Sequence, residues 1–249
     1  MFTFNGVHVT NASLGVLRQT VRTIFPLLPE TMDHSLEIAG CDGAYDQGYT
    51  YKSRPIRAQF LIRRNTPEEL LQYARTVAAW LNVIEAKPLT LDREPDKFYL
   101  ARPRGGVPLD RILRSGGFCD VLFIAFNPKA FALDAVTDAA TGTIQAENTG
   151  TLSCPVLITA TMAAVSSTLK ITLDETDEFI LLTPEAGDLQ IGDTVIIDTN
   201  LRTCTINGVD ARDDISFSST WFWLPVGEFT LSALPVSTDL EITYRERFI

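Results

Sequence analysis

From residue 152 to residue 244 the chain is a succession of short β-branched and aromatic runs with almost no helical period. The runs are 152–162, 168–173, 178–183, 194–198, 203–206, 220–224, 228–234 and 240–244. Several are separated by turn pairs such as Gly192-Asp193 and Asn207-Gly208. Strands this short bury their apolar faces only when two sheets stack, so this half predicts a β-sandwich or jelly roll.

Charge divides the chain at the same place. Residues 1–133 hold 16 Lys+Arg and 13 Asp+Glu, a net of +3, and residues 134–249 hold 5 and 18, a net of −13. Such a break predicts two units with different surroundings, in a chain of 249 residues that is long enough for both. The boundary is expected near Asp134. Residues 135–150 are small, polar and weakly patterned and read as a linker. The last strand, 240–249, is a segment that can return to pack on the first unit. The total of −10 argues against phosphate binding by the whole surface.

The first unit reads as mixed α and β. Thr66 is placed to cap a helix, Pro67 suits its first position and Glu69 completes a capping box. Leu70, Tyr73, Ala74, Val77, Trp80 and Leu81 then recur at helical spacing through Asn82, with Trp80 expected in the core. Ile56, Ala58, Phe60 and Ile62 alternate with Arg57, Gln59 and Arg63, which predicts a half-buried strand for the helix to pack on. Segments 88–91 and 97–101 flank the polar stretch 92–96 as a hairpin. Residues 117–126 are apolar on both faces except at Asp120 and read as a central strand that Asn127-Pro128 ends.

Residues able to carry chemistry are scarce. The N-terminus lacks a basic stretch followed by an apolar core, so no signal peptide is expected, and no apolar run approaches the length of a membrane span. Cys41, Cys119, Cys154 and Cys204 are far apart, which predicts buried free thiols rather than a zinc site. Neither His8 nor His34 lies in a metal or catalytic motif, and no phosphate-binding or nucleophile-elbow pattern occurs. No catalytic residue, metal ligand or cofactor is expected. Asp174, Glu175, Asp177 and Glu178, and separately Asp210, Asp213 and Asp214, cluster in turns; solvated loops are favoured over a calcium site. In a strand, Trp221 and Trp223 share one face, and core packing of at least one is favoured over sugar stacking.

Other features together resemble a known family. They are Phe2-Thr3-Phe4-Asn5-Gly6, Gly40-Cys41-Asp42-Gly43-Ala44-Tyr45, Arg54-Pro55-Ile56, the helix ending in Trp80-Leu81, and Pro95-Asp96-Lys97-Phe98-Tyr99-Leu100-Ala101. Phe126-Asn127-Pro128, Asn207-Gly208, Ser219-Thr220-Trp221, Leu224-Pro225-Val226-Gly227-Glu228-Phe229 and Ile242-Thr243-Tyr244-Arg245-Glu246-Arg247 follow in order. In this order and spacing the chain resembles the distal tail proteins of long, non-contractile-tailed bacteriophages. Val226 interrupts a Pro-Gly pair that many relatives keep, which affects only the local turn.

The resemblance implies a structural virion protein of the tail tip or baseplate hub, assembled in the bacterial host cytoplasm. It implies an α+β N-terminal domain, mostly strand with one main helix, that closes a homo-hexameric ring. It implies a galectin-like or jelly-roll sandwich outside that ring. The expected partners are the tail-tube protein above, the tail-associated hub protein below and receptor-binding proteins on the sandwich. Genomic DNA would pass through the channel without sequence-specific contact, and nothing would enter a membrane. The long polar loop 38–55, with Asp42, Gly43, Tyr45, Tyr49 and Tyr51, is the candidate ring interface. Trp221 and Trp223 are candidates for contact with a partner or a glycan. The competing class is a carbohydrate-binding adhesin module recognising cell-wall glycans; an enzyme with distant carboxylates is the least favoured.

Overall fold

The computed structural model describes residues 1–40, 42–185 and 187–249, with residues 111–113 described through their backbone. The described chain forms two compact units, Met1–Leu133 together with the terminal Ile249, and Asp134–Phe248.

The first unit contains β1 (Phe2–Phe4), β2 (Val7–His8), β3 (Arg22–Ile24), β4 (Thr31–Leu36), β5 (Tyr45–Tyr51) and β6 (Arg54–Arg63). After these come α1 (Pro67–Leu81), β7 (Lys87–Leu91), β8 (Glu94–Pro103), β9 (Leu109–Leu113), β10 (Gly116–Ala125) and β11 (Ala130–Ala132). The main sheet runs β2-β1-β7-β8-β10-β6-β3, with β9 on β10 and β11 on β8. Alternation sets the register of its centre. Ile56, Ala58, Phe60 and Ile62 all point into the core, and β6 pairs with β10 from Gly116↔Arg63 to Ala125↔Arg54.

Helix α1 begins as its sequence predicts. The Thr66 hydroxyl accepts a hydrogen bond from the Glu69 amide at 3.2 Å, while the Glu69 carboxylate reaches back to the amide of Asn65 rather than to Thr66 itself. Leu70, Val77 and Leu81 are buried, and the helix packs on β6 and β10. Trp80 is half-buried. Its indole N–H donates to the Phe4 carbonyl at 3.0 Å, and its ring stacks on Phe2 and meets Phe4 edge-on. Phe2, Phe4, Phe60 and Phe123 complete this aromatic core and are fully buried.

Two expectations for this unit need correction. The hairpin turn between β7 and β8 is Asp92-Arg93 alone, and Pro95 lies inside β8, where the register shifts between Thr90 and Leu91. A register shift accommodates a residue that cannot donate to the ladder. The polar segment 38–55 is also no loop: Tyr45–Tyr51 is β5, which pairs with β4 as a separate two-stranded ribbon. Tyrosine and threonine favour an extended backbone even when no face is buried, and a register shift hides the period.

The second unit contains β12 (Val136–Thr141), β13 (Thr143–Asn148), β14 (Val156–Thr161), β15 (Leu169–Leu173), β16 (Glu178–Leu182) and β17 (Thr194–Asp198). β18 (Thr203–Ile206), β19 (Val209–Asp210), β20 (Gly227–Leu234), β21 (Asp239–Tyr244) and β22 (Arg247–Phe248) follow. One sheet runs β12-β21-β14-β17-β18-β19 and the other β13-β20-β15-β16. Both feed one core, in which Ile158, Ile197 and Ile242 of the first sheet join Ile171, Ile180 and Leu231 of the second. This is the stacking that the succession of short runs predicts.

The linker expectation is overturned. Residues 135–150 form the hairpin β12–β13, turning at Gly142 with φ +77°, where a Cβ would stand 2.4 Å from the Val236 carbonyl oxygen. Both strands lie at sheet edges and bury only Ile144 and Asn148, so no apolar alternation marks them. The expected strand 220–224 is not one either. Trp221, Phe222 and Trp223 are irregular, and only Leu224 bridges, to Cys154. The Phe222 amide donates to Thr220 two residues back, and Pro225 stops any ladder.

Candidate functional site

The groups able to do chemistry are dispersed or satisfied. His8 accepts or donates a hydrogen bond with the Thr10 hydroxyl at 2.7 Å and pairs with Asp92 at 3.2 Å. The sequence offered no partner for it. Hydroxyl, imidazole and carboxylate stand in a row, but His8 and Asp92 are more than a third exposed, so water screens the pair. His34 meets only Thr50, at 3.1 Å. Cys119, Cys154 and Cys204 are free and buried, as expected, and burial raises their thiols to about 11, about 12 and about 12. Cys41 lies outside the described residues.

The acidic turns hold themselves together. Asp174 accepts from the Ser232 hydroxyl at 2.7 Å, Glu178 from Thr176, Asp210 from the Arg212 amide and Asp214 from the Glu185 amide. Among the described residues no group of three His, Cys, Asp or Glu side chains is placed to hold a metal ion. Beside α1 a groove of about 570 Å³ is lined by Ala74, Val77, Leu81, Val107, Leu109 and Cys119, and no charged side chain is among its described lining residues.

One surface ion pair, in which Arg57 is more than half exposed, has a pH consequence. Asp120 on β10 lies opposite Gln59 and accepts from the Arg57 Nε at 2.8 Å and the Gln59 amide at 3.2 Å. The hydrogen bond from Arg57 holds its carboxyl below the usual range, with that from Gln59 adding to the effect against its own desolvation. A depressed carboxylate stabilises the fold above its unfolded value near 4, and that contribution disappears as pH falls through the folded value. Acid titration of stability should therefore lose part of its slope below about pH 4 in Asp120→Asn. A mutant curve parallel to wild type would show that the pair contributes nothing.

The surfaces are more informative than the polar clusters. The candidate interface residues gather on the β4–β5 ribbon: Asp42 and Gly43 in its tip, Tyr45, Tyr49 and Tyr51 along β5. Lys52 and Glu30 clasp its base, side chain to side chain at 2.6 Å and backbone to backbone at 2.7 Å. Beyond the clasp almost every residue is exposed, including Met32, Leu36, Ile38, Tyr45 and Tyr49. The apolar residues of β4 were not predicted; the alternation Met32, His34, Leu36 was the available signal. A second unpredicted patch surrounds β3, where Arg22, Ile24, Phe25, Leu27 and Arg93 line a pocket of about 360 Å³.

In the second unit, Phe222 rather than a tryptophan fills the core. Trp221 is half-buried against that core and borders a shallow pocket with Arg202, Arg212, Ser216, Phe217 and Ser219. Trp223 is 38% exposed, with the Arg247 guanidinium 4.8 Å from its ring centre. Trp221 thus packs against the core, the placement favoured for at least one of the two tryptophans, while Trp223 is the more exposed, and the segment is not a strand.

Comparison with known proteins now has a geometry to meet. Residues 7–125 match the model of a phage tail protein RIFT-related domain, and residues 149–248 match that of a siphovirus-type tail component C-terminal domain. The distal tail protein of Bacillus phage SPP1 is 24% identical over 219 residues, covering 85% of this chain and 83% of that protein. The crystal structure of SPP1 Dit, described as a paradigm of the hub adsorption apparatus in phages infecting Gram-positive bacteria, superposes with a TM-score of 0.80. It covers 100% of this chain and 98% of that one at 17% identity, so it establishes the shared fold. Both units are thus those of a siphovirus-type tail component, a structural part of the virion tail. Within that class, the chain belongs to the bacteriophage distal tail proteins.

Proposed function

We propose that six copies of this chain close a ring through the first unit, joining the tail tube to the tip or baseplate around a channel that DNA crosses. The observation that carries the proposal is the ribbon. A two-stranded sheet with both faces open is marginal alone in water, and this one carries tyrosines and aliphatic residues of the kind that a partner covers. The tail-tube protein and the tail-associated hub protein are the proposed neighbours above and below, and assembly takes place in the host cytoplasm. The second unit, proposed as a galectin-like sandwich outside the ring, works by contact rather than turnover, as a platform for receptor-binding proteins. Native mass spectrometry of the full chain tests the ring: a species of six 27.5 kDa subunits is expected, and a monomer at every concentration overturns it.

A second reading has its own observation. The pocket beside Trp221 sets an aromatic ring and the exposed Phe217 among Arg202, Arg212 and two serines, a chemistry that suits a sugar ring. Glycan binding that vanishes in Trp221→Ala while the melting curve is unchanged would favour it.

A further inference from the structure

The second unit is acidic, and its few cations are unevenly placed. Residues 134–249 hold 18 Asp+Glu against Lys170, Arg202, Arg212, Arg245 and Arg247. Two of those five cations, Arg202 and Arg212, line the pocket of about 360 Å³ that Trp221 and Phe217 border, and no carboxylate is among its described lining residues. They arrive from different elements. Arg202 belongs to the turn between β17 and β18, and Arg212 to the single helical turn Arg212–Asp214 that follows β19.

Both guanidiniums are open to a ligand. Each residue is exposed, and among the described residues neither side chain donates a hydrogen bond or joins an ion pair, Asp213 beside them included. The other carboxylates nearest in sequence are turned to the backbone. Asp198 accepts from the Asn200 and Leu201 amides at 2.8 and 3.0 Å, Asp210 from the Arg212 amide at 3.2 Å and Asp214 from the Glu185 amide at 3.2 Å.

The aromatic side of the pocket is fixed in place. Its chain segment is laced along the outer edge of β16. The Ser216 amide donates to the Leu181 carbonyl at 2.9 Å, the Leu181 amide to the Ser219 hydroxyl at 2.9 Å and the Thr220 amide to the Phe179 carbonyl at 2.8 Å. Trp221 packs against the core behind this segment, while the Phe217 ring stands wholly in solvent. Aromatic faces take up the apolar face of a sugar ring, and guanidiniums grip a phosphate or carboxylate through paired, charge-assisted hydrogen bonds. A neutral sugar would leave both arginines idle. A long acidic peptide would meet the net −13 of the surrounding unit, whereas a single charged ring meets only the pocket.

We propose that this pocket binds an acidic saccharide, its ring against Trp221 and Phe217 and its phosphate or carboxylate held by Arg202 and Arg212. The proposal rests on the glycan reading of the second unit and is independent of the ring.

Saturation-transfer NMR on the full chain, which reads weak binding, tests it with glucose 1-phosphate, glucuronic acid, glucose, inorganic phosphate and a tetra-aspartate peptide. Both acidic sugars, or the one whose anion fits, should bind at least about tenfold more tightly than glucose or phosphate alone. Raising salt from about 0.05 M to about 0.5 M should weaken the acidic sugars several-fold and leave glucose unchanged. The double variant Arg202→Gln and Arg212→Gln should bring the acidic sugars down to the level of glucose with an unchanged melting curve. Phe217→Ser, at a fully exposed position, should weaken the sugars and leave phosphate unaffected. Glucose bound as tightly as the acidic sugars, or a preference for them that survives in the arginine variant, overturns the proposal while the glycan reading stands. Phosphate bound as tightly as glucose 1-phosphate makes this an anion site only, and a preference for tetra-aspartate makes it a peptide site; either overturns the saccharide. Binding of none of the probes overturns both the proposal and the glycan reading.

Discussion

Phe222→Ala should cost the second unit about 3–5 kcal/mol, whereas Trp223→Ala, at the next residue but more exposed, should cost about 1 kcal/mol or less. Phe222 is 2% exposed and belongs, with Cys154, Phe229 and Tyr244, to the core that the two sheets share, so its loss leaves a cavity in a close-packed interior. Trp223 is 38% exposed, with the Arg247 guanidinium 4.8 Å from its ring centre, so its removal opens toward solvent rather than leaving a closed cavity. Thermal unfolding followed by calorimetry separates the two. If the variants were equally destabilised, the outward placement of Trp223 would be wrong, and with it the use of that face for contact.

Phe4→Ala should cost the first unit a similar amount, about 3–5 kcal/mol. Phe4 is fully buried, meets Phe123 at 4.9 Å and Trp80 at 5.9 Å between ring centres, and its carbonyl accepts the indole N–H. Trp80→Ala, from a half-buried position, should cost about 2–4 kcal/mol, because the lost packing adds to one lost hydrogen bond. Since each unit has its own core, the Phe4 change should lower one melting transition and leave the other in place. A loss of a few tenths for Trp80 would mean that its ring serves an interface instead of the core.

What the sequence showed and what it hid follow from burial. Helix α1 was legible because a cap, a proline and an apolar stripe agree from Thr66 to Leu81. β6 and β10 were legible because each buries at least one face along its length. β12 and β13 were not, because edge strands are stabilised by ladder bonds to β21 and β20 that leave no apolar pattern. The ribbon was half legible: its tyrosines drew attention, but its pairing depends on a register shift that no local pattern announces. The β3 patch was invisible, since Arg93 joins Arg22 only through the turn between β7 and β8. Distant residues that meet through topology leave no spacing to read.

The most direct test of the account is an electron cryomicroscopy reconstruction of the assembled full-length protein. The account predicts a closed six-fold ring with a central opening bounded by first units, each ribbon covered by a neighbour, and the sandwiches outside. A ring held together by the sandwiches, with the ribbons free in solvent, would contradict it.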